Sequence, residues 1–247
     1  MRFPLLVFLA LFSAGRAGAY DRSVLAEYND FYKNGDYQSA LDGYRELSAA
    51  EPHNPYAFYN AGNAYFRLNK SGPALVNLGK AFRLSPRNAD IRANLDFILK
   101  HTGQAFVPDG VPKALHYLYY FFSDSELATA ASVLWWLSCL FLSFSFLKPD
   151  LREKLSGLIA GLGLLLVVSL LWLAARSSSP LRDAAVITAE GSVPLMSGPG
   201  DTFKTYAALP EARLVKILDE SDDLYYEVGI PREGIKGWVK KTSAEKI

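Results

Sequence analysis

LATAASVLWWLSCLFLSFSFL (127–147), KPDLREK (148–154) and LSGLIAGLGLLLVVSLLWLAA (155–175) run on from one another and divide the chain in two. Each outer stretch is apolar throughout and carries no charged side chain. At about 1.5 Å of helix rise per residue, each matches the ~30 Å hydrocarbon thickness of a bilayer. The stretch between them holds Lys148, Arg152 and Lys154. Basic residues in a short loop favour the cytoplasmic side. The expectation is a transmembrane hairpin with a cytoplasmic loop at 148–154. The competing reading, two buried core helices, needs a soluble domain large enough to enclose both, and a chain of 247 residues leaves little room for one.

The N-terminus agrees with that topology. Arg2 supplies a positive charge, residues 3–12 are apolar, and Ala17, Gly18 and Ala19 form a small-residue cleavage pattern. Residues 1–19 read as an export signal. An uncleaved anchor is the alternative, because Arg16 puts a charge close to the cut. Either way the next segment is delivered across the membrane, and the hairpin returns residues 184–247 to the same side.

Residues 20–102 repeat themselves. On a shift of 34, Phe31 falls on Tyr65, Ala40 on Ala74, Tyr44 on Leu78, Leu47 on Ala81 and Pro52 on Pro86. This period, with small, aromatic and proline positions in this order, is the tetratricopeptide pattern. Ala40 and Ala74 stand where two helices approach closely, and Pro52 and Pro86 end the second helix of each pair. The repeats span 21–54 and 55–88, and 89–101 reads as a capping helix. The first repeat departs from the pattern at Glu27, Tyr28 and Leu47. Two repeats and a cap fall short of the three or so usually needed for independent stability, so outside support is expected. Residues 103–126 form a linker broken by Gly103, Pro108, Gly110 and Pro112. Leu115 to Phe122 then forms an aromatic run suited to the membrane interface, with an aromatic ligand box as the other reading.

After a polar linker at 176–183, residues 184–247 turn to short β runs: Ala185–Thr188, Arg213–Leu218, Leu224–Ile230 and Gly237–Lys240. Such runs, punctuated by glycine and proline, predict a small barrel. The segment resembles the bacterial SH3 domain. Val193–Pro199 fits its opening loop, Leu209–Val215 the turn into its central strand, and Gly237-Trp238-Val239 its closing signature. Ala212 stands in place of the usual Gly, and Tyr225 in place of the usual Trp. A core this small needs a large ring, so Trp238 is expected to be largely buried. The predicted fold is a multidomain membrane protein: an all-α tetratricopeptide repeat, a two-helix transmembrane hairpin and an all-β SH3-like barrel.

Charge and chemistry narrow the function classes. Formal net charge is +1. Residues 20–102 hold ten Lys/Arg against nine Asp/Glu, and 184–247 hold eight against ten. Neither has the basic surplus that nucleic acid requires. The one cysteine, Cys139, lies inside an apolar run, and His53, His101 and His116 are scattered. No catalytic, cofactor or metal constellation assembles from these residues, and the expectation is a non-enzyme. Residues 197–200 are Gly-rich but lack a phosphate loop's lysine, and the acids between Asp219 and Asp223 read as a hairpin tip.

Binding is the alternative to chemistry. Asn29 repeats as Asn63 and Lys33 as Arg67, each 34 residues on. Asn and cation are four apart, on one helical face. In the tetratricopeptide family these positions, with Tyr59 and Phe66, line the concave groove, where amide and cation could hold an extended segment or its carboxylate. Ordinary solvated polar positions are the alternative. The order of signal, tetratricopeptide repeats, two spans and SH3 domain resembles the Bat aerotolerance-operon proteins of the BatE type. That resemblance implies the bacterial inner membrane, with both soluble parts extracytoplasmic. It implies von Willebrand A-domain membrane proteins and a MoxR-type ATPase as partners, and scaffolding in a stress-linked envelope complex. The other readings are a cell-wall module gripping peptidoglycan through the SH3-like domain, and an envelope hydrolase.

Overall fold

A 34-residue offset governs the helices of the first half. The computed structural model describes residues 22–108, 110–177, 183–230 and 233–247. The expected export signal 1–19 and most of the linker 176–183 lie outside these residues. Five helices come first: α1 (Arg22–Lys33), α2 (Tyr37–Ala50), α3 (Pro55–Arg67), α4 (Ser71–Leu84) and α5 (Ala89–His101). Shifting by 34 lays α2 on α4 (37 to 71, 50 to 84) and α3 on α5 (55 to 89, 67 to 101). Their starts are set by side-chain caps. Asp36 accepts from the Ser39 amide, Asn54 from Tyr56, and Asn88 from both Asp90 and Ile91. Each helix packs on the next, and Ala40 and Ala74 are fully buried. Gly62 lets α3 and α4 close up, since a Cβ there would sit 2.9 Å from Leu78 Cγ and 3.2 Å from the Ala74 carbonyl oxygen.

Next come α6 (Lys113–Tyr119), α7 (Asp124–Leu147) and α8 (Pro149–Ser177). Two of these, α7 and α8, pack on each other as a hairpin and are long and apolar enough to cross a membrane. Few of their residues are buried, and Phe146 is 81% exposed. The seven-residue loop expected at 148–154 shrinks to Lys148, because Pro149 opens α8 at once. Proline suits a first helical position, where its missing N–H would have no partner. At its other end α7 starts a turn before the apolar run, through a capping box in which Ser123 and Glu126 bond each other's backbone.

Two arginines strap that first turn down. Arg87, beyond α4, reaches Glu126 at 2.9 Å and the Phe121 carbonyl at 3.1 Å. Arg176, from the end of α8, is buried, pairs with Asp124 at 2.8 Å and donates to the carbonyls of Tyr119 and Phe122. Its guanidinium lies 4.6 Å over the Tyr120 ring.

The C-terminal part corrects the expected barrel. Its strands are β1 (Ala184–Ile187), β2 (Ser192–Met196), β3 (Thr205–Pro210), β4 (Leu214–Asp219), β5 (Tyr225–Ile230), β6 (Ile235–Lys240) and β7 (Ala244–Lys246). They form one antiparallel sheet ordered β3-β2-β6-β5-β4-β1-β7, with β3 and β7 as its edges. The sheet is open, so the SH3-like assignment falls. Edge β7 lies along α4 instead of closing a barrel: Lys80 pairs with Glu245 at 2.6 Å, and Arg83 donates to the Ile247 carbonyl. Edge β3 ends in Pro210, which offers no N–H, and a bulge interrupts its pairing with β2 at Leu195/Met196. The stretch read as an opening loop is mostly strand β2. In β6 the buried positions are Gly237 and Val239, which leaves Trp238 half-buried.

Sheet and helices share a core. All four residues of β1 are buried. Ala185 and Ile187 join the sheet's own cluster with Leu195, Val228 and Val239, while Ala184 and Val186 face the cluster of Leu75, Leu78, Phe82 and Ile91. Gly72 of α4 has the closest backbone approach, for a Cβ there would lie 2.6 Å from the Ile187 carbonyl oxygen. Its N–H donates to Glu211 at 2.8 Å. Gln104 completes the joint by donating to the Ala212 carbonyl at 2.8 Å and accepting from the Leu214 N–H at 2.9 Å. Ala212 adopts φ 61°, the left-handed conformation that the usual glycine would favour.

Candidate binding groove of the helical array

Helices α1 and α3 present the polar positions singled out by the repeat, and the structure gathers only some of them. Asn29, Lys33 and Asn63 line one cleft of about 180 Å3, together with Tyr32, Tyr44 and Asn60. Tyr59 stands beside it. Its hydroxyl accepts from Asn94 of α5 at 3.2 Å, and the same amide donates to Asn63 Oδ1 at 2.8 Å. Phe66 lies elsewhere, edge-on to Phe97 at 5.5 Å and His101 at 5.6 Å. Arg67 does not line the cleft either. Its guanidinium donates to the Tyr37 hydroxyl and covers that ring at 4.5 Å.

The hydrogen bonds give the cleft a direction. Tyr44 donates to Asn29 Oδ1 at 2.7 Å, so that amide's acceptor is engaged. Asn94 engages the acceptor of Asn63 in the same way. The NH2 groups of Asn29 and Asn63 make no hydrogen bond among the described residues, and both remain as donors. Burial, with a smaller push from Tyr32, raises the Tyr44 hydroxyl to about 12, which keeps it protonated and donating. Burial likewise raises Tyr32, against the pull of Arg67. Lys33 adds an ammonium whose only ion pair among the described residues is an exposed one with Asp30 at 2.9 Å. Two amide donors and a cation facing one small space suit an oxygen-rich anion. No family model matches this chain, and no curated protein matches it. The groove must therefore be argued from its own residues.

Among the described residues no group of three or more His, Cys, Asp and Glu could hold a metal ion. The acids at 219–222 do turn work: Asp219 accepts from Ser221, and Asp222 from Leu224 and Tyr225. Sequence reasoning missed Tyr32, Tyr44, Asn60 and Asn94. A signal was present, since Asn60 and Asn94 are themselves 34 apart. Reading α5 as a cap hid that it continues the register of α3.

Proposed function

We propose that this chain is a membrane-anchored, non-enzymatic scaffold whose helical groove takes an extended acidic or carboxylate-terminated segment of a protein partner. The observation that carries the reading is the pair of asparagines with occupied acceptors and free NH2 groups beside Lys33. Charge-assisted bonds to a carboxylate are the stronger kind, and a fixed amide pair would set its orientation. Anchoring is supported by the two long apolar helices, few of whose residues are buried. A Bat-type envelope complex, with von Willebrand A-domain partners on the extracytoplasmic side of the inner membrane, is supported by the order of helical repeat and hairpin alone. The open sheet removes the last member of that order, and with it the basis for a peptidoglycan-binding barrel.

Peptides ending in acidic residues, with free or amidated C-termini, should be tested on the detergent-solubilised full chain. Lys33→Glu with Asn63→Asp turns donors into acceptors and should weaken the free-acid peptides by about 10-fold or more. Arg67→Glu, which lines no part of the cleft but bears on Tyr32 in its wall, should have a smaller effect that weakens with salt. Equal binding by wild type and the double variant would reduce the groove to a solvated face.

A further inference from the structure

A second and larger cleft, about 390 Å3, opens on another face of α5, between Arg92, Asp96 and Lys100, the segment Ala105–Val107 and Lys113 at the start of α6. Its charge is unbalanced, with three cations against one carboxylate, and Asp96 is already paired with Lys100 at 2.6 Å. Lys113 makes no ion pair among the described residues. Arg92 is half-buried and has no carboxylate partner there. It gives one long hydrogen bond, 3.3 Å, to the Pro86 carbonyl. Otherwise it lies over the rings of Tyr117 at 4.7 Å, Phe106 at 5.7 Å and Phe82 at 5.9 Å. A guanidinium drawn partly out of water without a counter-ion is unfavourable until an anion reaches it.

The setting of α6 identifies the anion. Its inner face, His116 and Tyr120, is buried against Phe106 and Phe82. Its outer face exposes Leu115 and Leu118, at 57% and 55%. The helix is pinned to the open end of the α7–α8 hairpin, where Tyr119 bonds the Ala175 carbonyl at 2.9 Å and accepts from Trp172 at 3.2 Å. Exposed leucines at the mouth of two apolar helices suit the acyl boundary, and Tyr117 suits the headgroup level above it. Arg92 stacks on that same Tyr117.

We propose that the Arg92–Lys100–Lys113 cleft binds the phosphate diester of an anionic lipid headgroup in the leaflet at the hairpin mouth. The site rests on the membrane-anchored reading. The guanidinium and Lys113 meet the phosphate oxygens, while Phe106 and Val107 line the apolar wall and the acyl chains run past Leu115 and Leu118.

The test uses the full chain in nanodiscs of phosphatidylcholine with a minority of phosphatidylglycerol, with retained lipid counted by native mass spectrometry after mild extraction. Wild type should retain phosphatidylglycerol selectively. Lys100→Gln with Lys113→Gln, both exposed positions, should retain about 10-fold less with unchanged circular dichroism. Equal retention of the two lipids, or full retention by the double variant, overturns the site. So does displacement of the lipid by millimolar glycerol 1-phosphate, which would mark a free-phosphate site. Flotation with pure phosphatidylcholine vesicles separates the premises. A chain that does not float sinks the anchored reading and this site together, whereas one that floats without selective retention sinks this site alone.

Discussion

The two ends of the helical array are finished differently. At one end, α1 and α2 have only a small core, Ala40, Leu41 and Tyr44 with Ala61 and Ala64 of α3, and edge contacts such as Tyr28 on Tyr44 at 6.2 Å. At the other, the core of α4 and α5 continues without a break into Ala184, Val186, Ala212 and Ile247 of the sheet and Tyr120 of the bridge. A short repeat needs its last apolar face covered. Here the sheet covers one end, and among the described residues nothing covers the other. The groove cleft lies at the uncovered end, where local opening costs least and a bound ligand stabilises most.

Three variants press on that contrast. Gly72→Val should have the largest effect. Its Cβ would meet the backbone at Ile187 and Thr188, at 2.6 and 2.9 Å, and backbone cannot yield cheaply. A loss of about 3 kcal/mol is expected, read as a lower melting temperature of the whole array in the full chain. Unchanged melting would mean that the sheet is not the support. Tyr44→Phe should cost about 1 kcal/mol by removing the 2.7 Å bond to Asn29. Hydrogen exchange should speed up in α1 and α2 and stay as it was in α4 and α5. Equal acceleration everywhere would erase the distinction between the ends.

His116→Phe should have the smallest effect and should be visible only against pH. Burial, and secondarily Arg92, holds the imidazole below its ordinary range. The folded protein therefore binds that proton less readily than the unfolded chain. Stability is full above the ordinary histidine value of about 6.5 and falls as pH drops from there to the folded value. The variant should flatten the pH dependence of melting in that window, and an identical slope in both proteins would show that His116 is not the titrating group.

The helices were legible because their signal is local and repeated. A small residue at 40 and 74 and a proline at 52 and 86 each fix one crossing or stop. Closure of a sheet is not local: it depends on which edges meet. Nothing in the β runs says that the edge at Ala244–Lys246 will lie along α4. Pro194 and the turn residues 197–200 disguised β2 as loop, although proline is tolerated where its missing N–H is not needed. In β6 the alternation gives the inner face to Gly237 and Val239, and Trp238 on the other face is still partly covered. In the groove, Asn29 and Asn63 followed from the period. Arg67 did not follow, because the Tyr37 ring and hydroxyl draw it aside.

The straps at the start of α7 have a mechanical meaning. Arg87 ties the array to Glu126, and Arg176 ties the far end of the hairpin to Asp124, two residues away on the same helical turn. Array and hairpin are therefore joined at that turn by ionic links as well as by the chain. The single turn from Ser123 to Leu127 is thus a shared anchorage for the repeat and for both legs of the hairpin.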